Sequence, residues 1–335
     1  MKRLSPSIKV KESKIFTYPT RLVTFLQPEI MTHHLPAYQC DSKEIELTVH
    51  HGSTADIGVK MGGRLYKKIY RKLAPELKID EEYIHDTRYE VDGNMAHVLT
   101  HILPKLLITR DVYPKTTVIL GQSIGDRRPS IGKQIYESMG FSVICTNKKV
   151  YGKHILINVL SNGNNLNGFQ SCLGLYEDIF NKLDIQGYTS ETPDRVFISR
   201  KKTRNLINEH EVEHTLKQYK FKKFYFEDLS ISEQLSIARN AKVVVGLHGA
   251  AISTLIFNRN QVKVIELFNP GFIPQSFRKM INAVGGTWCG VTGQMSDSVF
   301  KDLNLKPFQA RKYSLSPTII DTSSLRMALE YLNVD

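Results

Sequence analysis

VVVGLHGAAISTLIF, residues 243–257, joins one apolar segment to another through a short turn of small residues. The valines predict a buried strand, and the segment after the turn predicts a helix. His248 stands inside the turn, next to Gly249, Ala250 and Ala251. The turn therefore combines an imidazole with a backbone that a ligand can approach closely.

Strand and helix patterns alternate on both sides of this stretch. Strands are predicted at RVFIS, FKKFYF, KVVVGL and VKVIEL, and helices at NEHEVEHTLKQY, LSISEQLSIARN and AAISTLIF. Asn208 with Glu211, and Ser230 with Glu233, have the spacing of residues that cap the start of a helix. Ordered alternation of this kind predicts a parallel sheet with right-handed crossovers.

The N-terminal half has a less regular pattern of the same kind. TTVILG, FSVICT and KHILIN predict strands, and IGKQIYESMG predicts a helix. Glycine and asparagine cluster in LSNGNNLNGFQ, and DIQGYTSETPDR has the composition of a linker. We therefore predict two α/β domains, residues 1–185 and 190–335, whose parallel sheets face a cleft between them. The last helix of the chain is free to pack back on the N-terminal domain.

Composition bounds the class of protein. The chain has 335 residues, of which 41% are hydrophobic, enough for a core in each of two domains. It contains neither an apolar run long enough to span a membrane nor an N-terminal apolar core of a signal peptide, which favours a cytoplasmic location. The four cysteines lack the spacing of metal ligands, so we expect free thiols and no zinc site.

The formal net charge is +12, which favours an anionic partner such as nucleic acid, an anionic membrane surface or a phosphorylated small molecule. The sequence shows no RNA-recognition aromatic motif, no zinc-finger spacing and no long basic tail. Nucleic acid is therefore not the expected partner.

Polar and charged residues follow the predicted strands of the C-terminal half. Ligands of open parallel sheets bind beyond the carboxyl ends of the strands. The residues at these ends are Ser199, Arg200, Lys201, Glu227, Asp228, His248, Gly249, Ala250 and Glu266. The turn at His248 and the start of the next helix predict a phosphate site, which Arg200 complements as a bidentate donor. Glu266 is a candidate acceptor for ribose hydroxyls. The alternatives are that His248 only bonds the backbone of its turn and that Glu266 is a surface carboxylate.

Asn94, His97 and His101 have helical spacing in the N-terminal half, so we expect them on one face of a helix. Two histidines four residues apart can bind a metal, but the glutamate of the HExxH motif is missing. The alternative is a helix with two solvated or hydrogen-bonded histidines. His50 and His51 are predicted in a loop near the cleft.

The segment from RVFISRKK to VIELFNP resembles the core of the family 61 glycosyltransferases, which include capsule-biosynthesis proteins and xylosyl- and N-acetylglucosaminyltransferases. The resemblance lies in an ISR strand end, an EQ helix start, GLHGA and VIEL at matching separations. NMAHVLTHILPKL also resembles the asparagine-to-histidine helix of the family. GLHGAA departs from the usual HGAG, and His101 stands where an acidic residue is usual.

The resemblance implies a GT-B-like fold of two Rossmann-like domains, with an inverting, metal-independent mechanism, no cofactor and a nucleotide-sugar co-substrate. It places Ser199 and Arg200 at the donor diphosphate, His248 and Gly249 at its phosphate or sugar side, and Glu266 at the nucleoside. With the strand-end residues, the predicted donor-binding set is Ser199, Arg200, Lys201, His248, Gly249, Ala250 and Glu266. His97 or His101 is then the catalytic base, and Asn94 lies on the acceptor side.

The prediction is a cytoplasmic glycosyltransferase of capsule or lipopolysaccharide-type polysaccharide biosynthesis, acting on a glycan or lipid-linked acceptor. Its positive charge suits peripheral contact with the inner face of an anionic membrane. The alternatives are a catalytically degenerate nucleotide-sugar-binding or scaffold protein, a nucleic-acid-binding protein, and a nucleotide-sugar epimerase of similar fold.

Overall fold

A computed structural model describes residues 2–3, 30–32, 38–39, 44–53, 76–89, 94–121, 131–160, 173–183, 189–274, 276–296 and 315–335. The chain divides into two compact units. The C-terminal unit contains Gln186–Asp335 together with Met1–Gln39, and the N-terminal unit contains Cys40–Ile185. Residues 1–39, which the sequence alone groups with the N-terminal half, thus belong to the C-terminal unit.

The described strands are β1 (Lys2–Arg3), β2 (Ile30–Thr32), β3 (Tyr38–Gln39), β4 (Glu44–Ser53), β5 (Glu76–Asp86), β6 (Thr116–Leu120), β7 (Ser142–Cys145), β8 (Lys149–Leu160), β9 (Arg195–Ser199), β10 (Lys222–Tyr225), β11 (Val243–Leu247), β12 (Lys263–Phe268) and β13 (Thr287–Thr292). The α-helices are α1 (Met95–His97), α2 (Leu103–Val112), α3 (Ile131–Ser138), α4 (Leu173–Lys182), α5 (Glu209–Gln218), α6 (Ile231–Asn240), α7 (Ser276–Ala283) and α8 (Thr322–Tyr331). Thr87–Tyr89, Phe226–Asp228 and Ala250–Phe257 are 3₁₀-helices, and Val98–Ile102 is a π-helix.

The C-terminal unit is built on a six-stranded sheet in the order β10-β9-β11-β12-β13-β2. The strands from β9 to β13 are mutually parallel, and β2 adds an antiparallel edge to β13. The predicted mixed α/β fold with a parallel sheet is therefore confirmed. This edge pairing joins residues 30–32 to the sheet of the C-terminal unit.

Apolar side chains cover both faces of this sheet. On one face, alternate residues of β9, β11, β12 and β13 form a buried core with the apolar sides of α5 and α8. The helix α8 therefore packs within the C-terminal unit. On the other face, α6 and α7 each contact the 3₁₀-helix Ala250–Phe257, and α7 also contacts β13. The polypeptide thus leaves β9 toward one face and leaves β11 toward the other.

The two predicted helix caps have different outcomes. The Ser230 side chain accepts from the Glu233 backbone N–H, and the Glu233 carboxylate accepts from the Ser230 backbone N–H, which confirms the capping box of α6. Asn208 stands at the start of α5 but its side chain does not cap the helix. Instead, its amide pairs with the Ile320 backbone, donating to the carbonyl at 2.8 Å and accepting from the N–H at 3.0 Å. The same amide also donates to the Glu211 carboxylate at 3.1 Å, so the two predicted residues are in contact although the Asn208 side chain accepts from no backbone N–H of α5.

The N-terminal unit contains a five-stranded sheet in the order β4-β8-β5-β6-β7. Four of these strands are parallel, and β4 pairs antiparallel with β8. The predicted strands at TTVILG, FSVICT and KHILIN and the helix at IGKQIYESMG are confirmed.

The loop predicted at His50 and His51 is wrong, because both residues lie within β4, where they pair with His154 and Lys153 of β8. Cys145 and Cys289 are free thiols, while Cys40 and Cys172 lie outside the described residues. Within the described part of the chain, no helix has the length and apolar character that crossing a membrane requires.

Candidate functional site

The candidate site lies at the carboxyl edge of the sheet in the C-terminal unit, where β9 and β11 end side by side. The connection after β9 leads to α5 on one face, and the connection after β11 leads to Ala250–Phe257 on the other face. Such a reversal is a topological switch point, the place where open parallel sheets bind ligands. Both of the predicted ligand-binding turns, after Ser199 and after Leu247, meet here.

Two arginine side chains converge on one backbone carbonyl at this edge. Arg200 Nη1 donates to the His248 carbonyl oxygen at 3.0 Å, and Arg204 Nη1 approaches the same oxygen at 3.4 Å. Arg200 also donates to Thr203 Oγ1, and the Arg204 guanidinium lies 4.8 Å from the centre of the Phe272 ring. The Arg200 guanidinium carries more N–H donors than its two acceptors use.

Burial makes this pair of like charges costly. Desolvation by burial lowers the pKa of Arg200, against the opposing effect of the Glu227 carboxylate. Desolvation also lowers the pKa of Arg204, and the positive charge of Arg200 lowers it further. Both groups stay cationic at neutral pH, so a bound anion would relieve their mutual repulsion.

Gly249 provides space for the Arg200 side chain. A Cβ atom at Gly249 would lie 2.1 Å from Arg200 Nη1, far inside van der Waals contact. The Gly249 backbone, with φ 170° and ψ 176°, has an extended conformation that any residue can adopt. The glycine is therefore required by the close approach of the guanidinium, and not by the backbone conformation of the turn. Ala250 follows as the first residue of the 3₁₀-helix.

His248 packs among three aromatic side chains. Its ring lies 5.5 Å from Phe268, 5.2 Å from Phe272 and 5.2 Å from Phe277, measured between ring centroids. Its Nδ1 lies 2.5 Å from Glu266 Oε1. The His248 ring therefore contacts the Glu266 carboxylate, so the alternative in which the histidine only bonds the backbone is wrong.

Glu266 is fully buried, and so is not the surface carboxylate considered as an alternative. Its second carboxylate oxygen accepts a hydrogen bond from Trp288 Nε1 at 2.8 Å. Both oxygens thus face protein groups, and the contact with ribose hydroxyls stays a prediction.

Ser199 and Lys201 are engaged with neighbouring side chains. Ser199 is buried and its hydroxyl donates to Glu209, whose other oxygen accepts from the Tyr225 hydroxyl at 2.8 Å. Lys201 is exposed, forms an ion pair with Asp228 and lies 5.0 Å above the Tyr225 ring. Their roles in binding a donor stay predictions.

The predicted residues of the N-terminal unit lie at the start of one long helical segment. The Asn94 side chain caps α1 by accepting from the Ala96 N–H at 2.9 Å. His97 ends α1, and His101 lies in the π-helix that follows. Their rings are 5.3 Å apart and both are half-buried. The predicted common position of the two histidines is therefore observed, while their chemical role stays a prediction.

Three participants in the site were not predicted as site residues. Arg204 lies four residues beyond Arg200, and its only sign in the sequence is the basic run after the strand. Trp288 lies on β13, and Phe272 lies in the loop after β12. Both reach the site through tertiary packing, which a strand-end pattern does not contain.

Comparison with known proteins gives a family match. The model of the family described as Glycosyltransferase 61 matches residues 95–265, just over half of the chain. The matched stretch includes His97 and His101 in one unit and Arg200, Arg204 and His248 in the other.

Individual relatives match shorter stretches. The chain is 32% identical over 98 residues to an EGF domain-specific O-linked N-acetylglucosamine transferase of Drosophila melanogaster, covering 28% of this chain and 19% of that protein. It is 32% identical over 71 residues to the enzyme of the same name from Gallus gallus, covering 20% of this chain and 13% of the relative. The matched region therefore spans less than a fifth of either relative.

Among solved structures, the chain is similar to the bacterial iron-containing dodecameric glycosyltransferase TibC from enterotoxigenic E. coli H10407. The identity is 14%, the match covers 60% of this chain and 61% of that chain, and the TM-score is 0.32.

Proposed function

The chain belongs to glycosyltransferase family 61, and from this membership we propose that it transfers a sugar from a nucleotide-sugar to an acceptor hydroxyl, with inversion at the anomeric carbon. We propose a GT-B fold, with the two α/β units as its Rossmann-like domains. The observation that carries the proposal is the convergence of Arg200 and Arg204 on the His248 turn at the carboxyl edge of the sheet.

The donor diphosphate would bind at this edge. Guanidinium groups match phosphate oxygens with paired hydrogen bonds, and a partly buried site strengthens such charge-assisted bonds. Backbone N–H groups at the start of the 3₁₀-helix Ala250–Phe257, next to Gly249, would add further hydrogen-bond donors to the phosphate. In this proposal the two arginines supply the positive charge that stabilises the departing diphosphate, without a metal ion.

We assign the catalytic base to the His97 and His101 pair. One imidazole takes the proton of the acceptor hydroxyl while the hydroxyl oxygen attacks the anomeric carbon. The bond between that carbon and the phosphate oxygen breaks, and its electron pair leaves with the nucleoside diphosphate. Comparison of His97→Gln with His101→Gln identifies the base, since its loss lowers turnover while donor binding is retained.

A binding screen tests the donor site. Purified protein is heated with a panel of nucleoside diphosphates and nucleotide-sugars; a ligand present at a hundred times its Kd stabilises the native state by about 2.7 kcal/mol. We expect one nucleotide class to raise Tm, and both Arg200→Ala and Arg204→Ala to lose most of that rise. Arg326→Ala, an exposed arginine on α8, is the matched control and should keep it.

The same screen, together with assays of nucleotide release and of nucleic-acid binding, distinguishes the proposed function from its alternatives. No shift with any nucleotide, or equal shifts in all variants, would refute the donor site. A scaffold protein would bind a nucleotide-sugar without releasing nucleoside diphosphate when acceptors are added. A nucleic-acid-binding protein would instead bind DNA or RNA in a strongly salt-dependent manner.

Two acceptor classes are proposed. The first is a glycan or lipid-linked acceptor of capsule or lipopolysaccharide-type synthesis. The second is a folded protein domain, which is favoured by the relatives named as EGF domain-specific transferases. Transfer of radiolabelled sugar to oligosaccharides, glycolipids and a disulfide-bonded EGF domain, side by side, distinguishes them.

We propose peripheral contact with an anionic membrane as the use of the net charge of +12. Sedimentation with anionic and with neutral vesicles tests it. Equal recovery with both vesicle types would rule the contact out.

A further inference from the structure

Glu266 lies inside the C-terminal unit, beneath the turn that carries His248. It is fully buried, as is Trp288, and His248 is only 7% exposed. Oε1 faces His248 Nδ1 at 2.5 Å and Oε2 accepts from Trp288 Nε1 at 2.8 Å. A tryptophan, a carboxylate and a histidine thus form a continuous chain of hydrogen bonds from the sheet to the candidate site.

Strand register explains how the sequence makes room for this chain. Glu266 on β12 stands opposite Gly246 on β11 and Gly290 on β13. Neither neighbouring strand therefore places a bulky side chain beside the carboxylate, and the nearest neighbours of a methyl group at Gly246 would be Ile252 and Ile198. His248 and Trp288 lie two residues from these glycines, so the two-residue period brings them to the same face.

Burial of a carboxylate is costly unless it is hydrogen-bonded, so an apolar residue would serve a purely structural role better. Here each oxygen has a specific partner. The indole N–H can only donate, which commits Oε2 as an acceptor. An ionised carboxylate only accepts, so Oε1 selects the histidine tautomer that carries its proton on Nδ1.

We propose that Glu266 and Trp288 are positioning residues, which hold His248 with its proton on Nδ1 so that Nε2 accepts a hydrogen bond from a hydroxyl of the donor sugar. The inference rests on the proposed function and deepens it. The diphosphate carries no hydrogen to donate, and Arg200 and Arg204 lie at the His248 carbonyl to bind it. In this proposal the imidazole recognises the sugar, while the two arginines recognise the phosphates.

The variant Glu266→Gln tests the proposed positioning role, because glutamine has nearly the same shape as glutamate. The new amide has one acceptor oxygen and one N–H₂ group, and Trp288 Nε1 needs the oxygen. The N–H₂ group then faces His248 Nδ1, which must accept, and the imidazole proton moves to Nε2. Adding Trp288→Phe removes the competing N–H, so the amide can turn its oxygen toward His248 and restore the first tautomer.

Binding is measured at about pH 8, where imidazoles are mostly neutral, with two probes. These are the nucleotide-sugar that most stabilises the protein and the nucleoside diphosphate that it contains. We expect Glu266→Gln to weaken the nucleotide-sugar about tenfold, because Nε2 then carries the proton and the sugar hydroxyl has to reverse its hydrogen bond, and to leave the diphosphate within about twofold. The double variant with Trp288→Phe should recover much of the loss.

Equal weakening of both probes, or no recovery in the double variant, would overturn the proposal. If neither probe binds the wild-type protein, the proposed function fails instead.

A nitrogen NMR measurement on the wild-type protein is independent of any variant's folding. Long-range ¹H–¹⁵N spectra of ¹⁵N-histidine-labelled protein report the tautomer of each ring, and the His248→Asn spectrum identifies the signals of His248. We expect the spectra to show that the His248 ring carries its proton on Nδ1. A proton on Nε2 in the wild-type protein would overturn the proposal.

Discussion

Replacement of Gly249 by alanine should displace the Arg200 guanidinium within the candidate site without disturbing the fold. A Cβ atom there would lie 2.1 Å from Arg200 Nη1 and 3.1 Å from Cζ. Nonbonded heavy atoms rest about 3.5 Å apart, so the guanidinium has to retreat by about 1 Å or more. This breaks its 3.0 Å hydrogen bond to the His248 carbonyl oxygen.

The expected loss in affinity follows from the hydrogen bond that Arg200 would make to the proposed diphosphate. A hydrogen bond that involves a charged group contributes about 1.5–3 kcal/mol. The Kd for a nucleoside diphosphate should therefore rise about 10- to 100-fold, measured by isothermal titration calorimetry. Because Gly249 has an extended backbone, which alanine also adopts, Tm without ligand should stay close to that of the wild-type protein.

Gly246→Ala is the matched control on the preceding strand. Its Cβ would lie 3.5 Å from Ile252 Cγ1 and 3.6 Å from Ile198 Cβ, in ordinary contact, so binding should be unchanged. In an Arg200→Ala background, Gly249→Ala should cause no further loss, since the displaced group is already absent. Wild-type affinity in the single Gly249 variant, or full additivity in the double variant, would refute the steric explanation.

Three further predictions concern stability and reactivity. Ser230→Ala removes the cap of α6 and should lower the free energy of unfolding by about 1 kcal/mol, seen as a lower urea midpoint with an unchanged m-value. Burial raises the pKa of the Cys289 thiol to about 12, so at about pH 8 a disulfide reagent should modify exposed Cys145 and leave Cys289 unmodified until the protein is denatured. The hydrogen bond from Lys223 lowers the pKa of Glu213, so this pair stabilises the protein above the unfolded-state pKa, and the contribution disappears as pH falls through the folded-state pKa. Glu213→Gln should flatten that acid-side decline in denaturant titrations; an unchanged slope would show that the pair adds nothing.

Much of the candidate site follows from the order of strands and turns in the sequence. Residues at the ends of parallel strands share one edge, which is sufficient to group Arg200 with His248 before any coordinates are known. The same rule also groups Glu266 with them, but does not distinguish a ligand-facing carboxylate from a buried one. That distinction depends on the glycines opposite Glu266 in the register and on Trp288, which the pattern does not include.

The sequence by itself determined the local elements and their alternation. Apolar periodicity and the Ser230 cap act within a few residues, so the helices and strands around residues 195–267 can be predicted from short stretches of sequence. Only the tertiary structure decided that residues 30–32 extend the sheet, that Asn208 pairs with Ile320, and that a tryptophan and a carboxylate stand behind His248. These contacts join residues far apart in the chain, and their free energy depends on burial and register that no local pattern specifies.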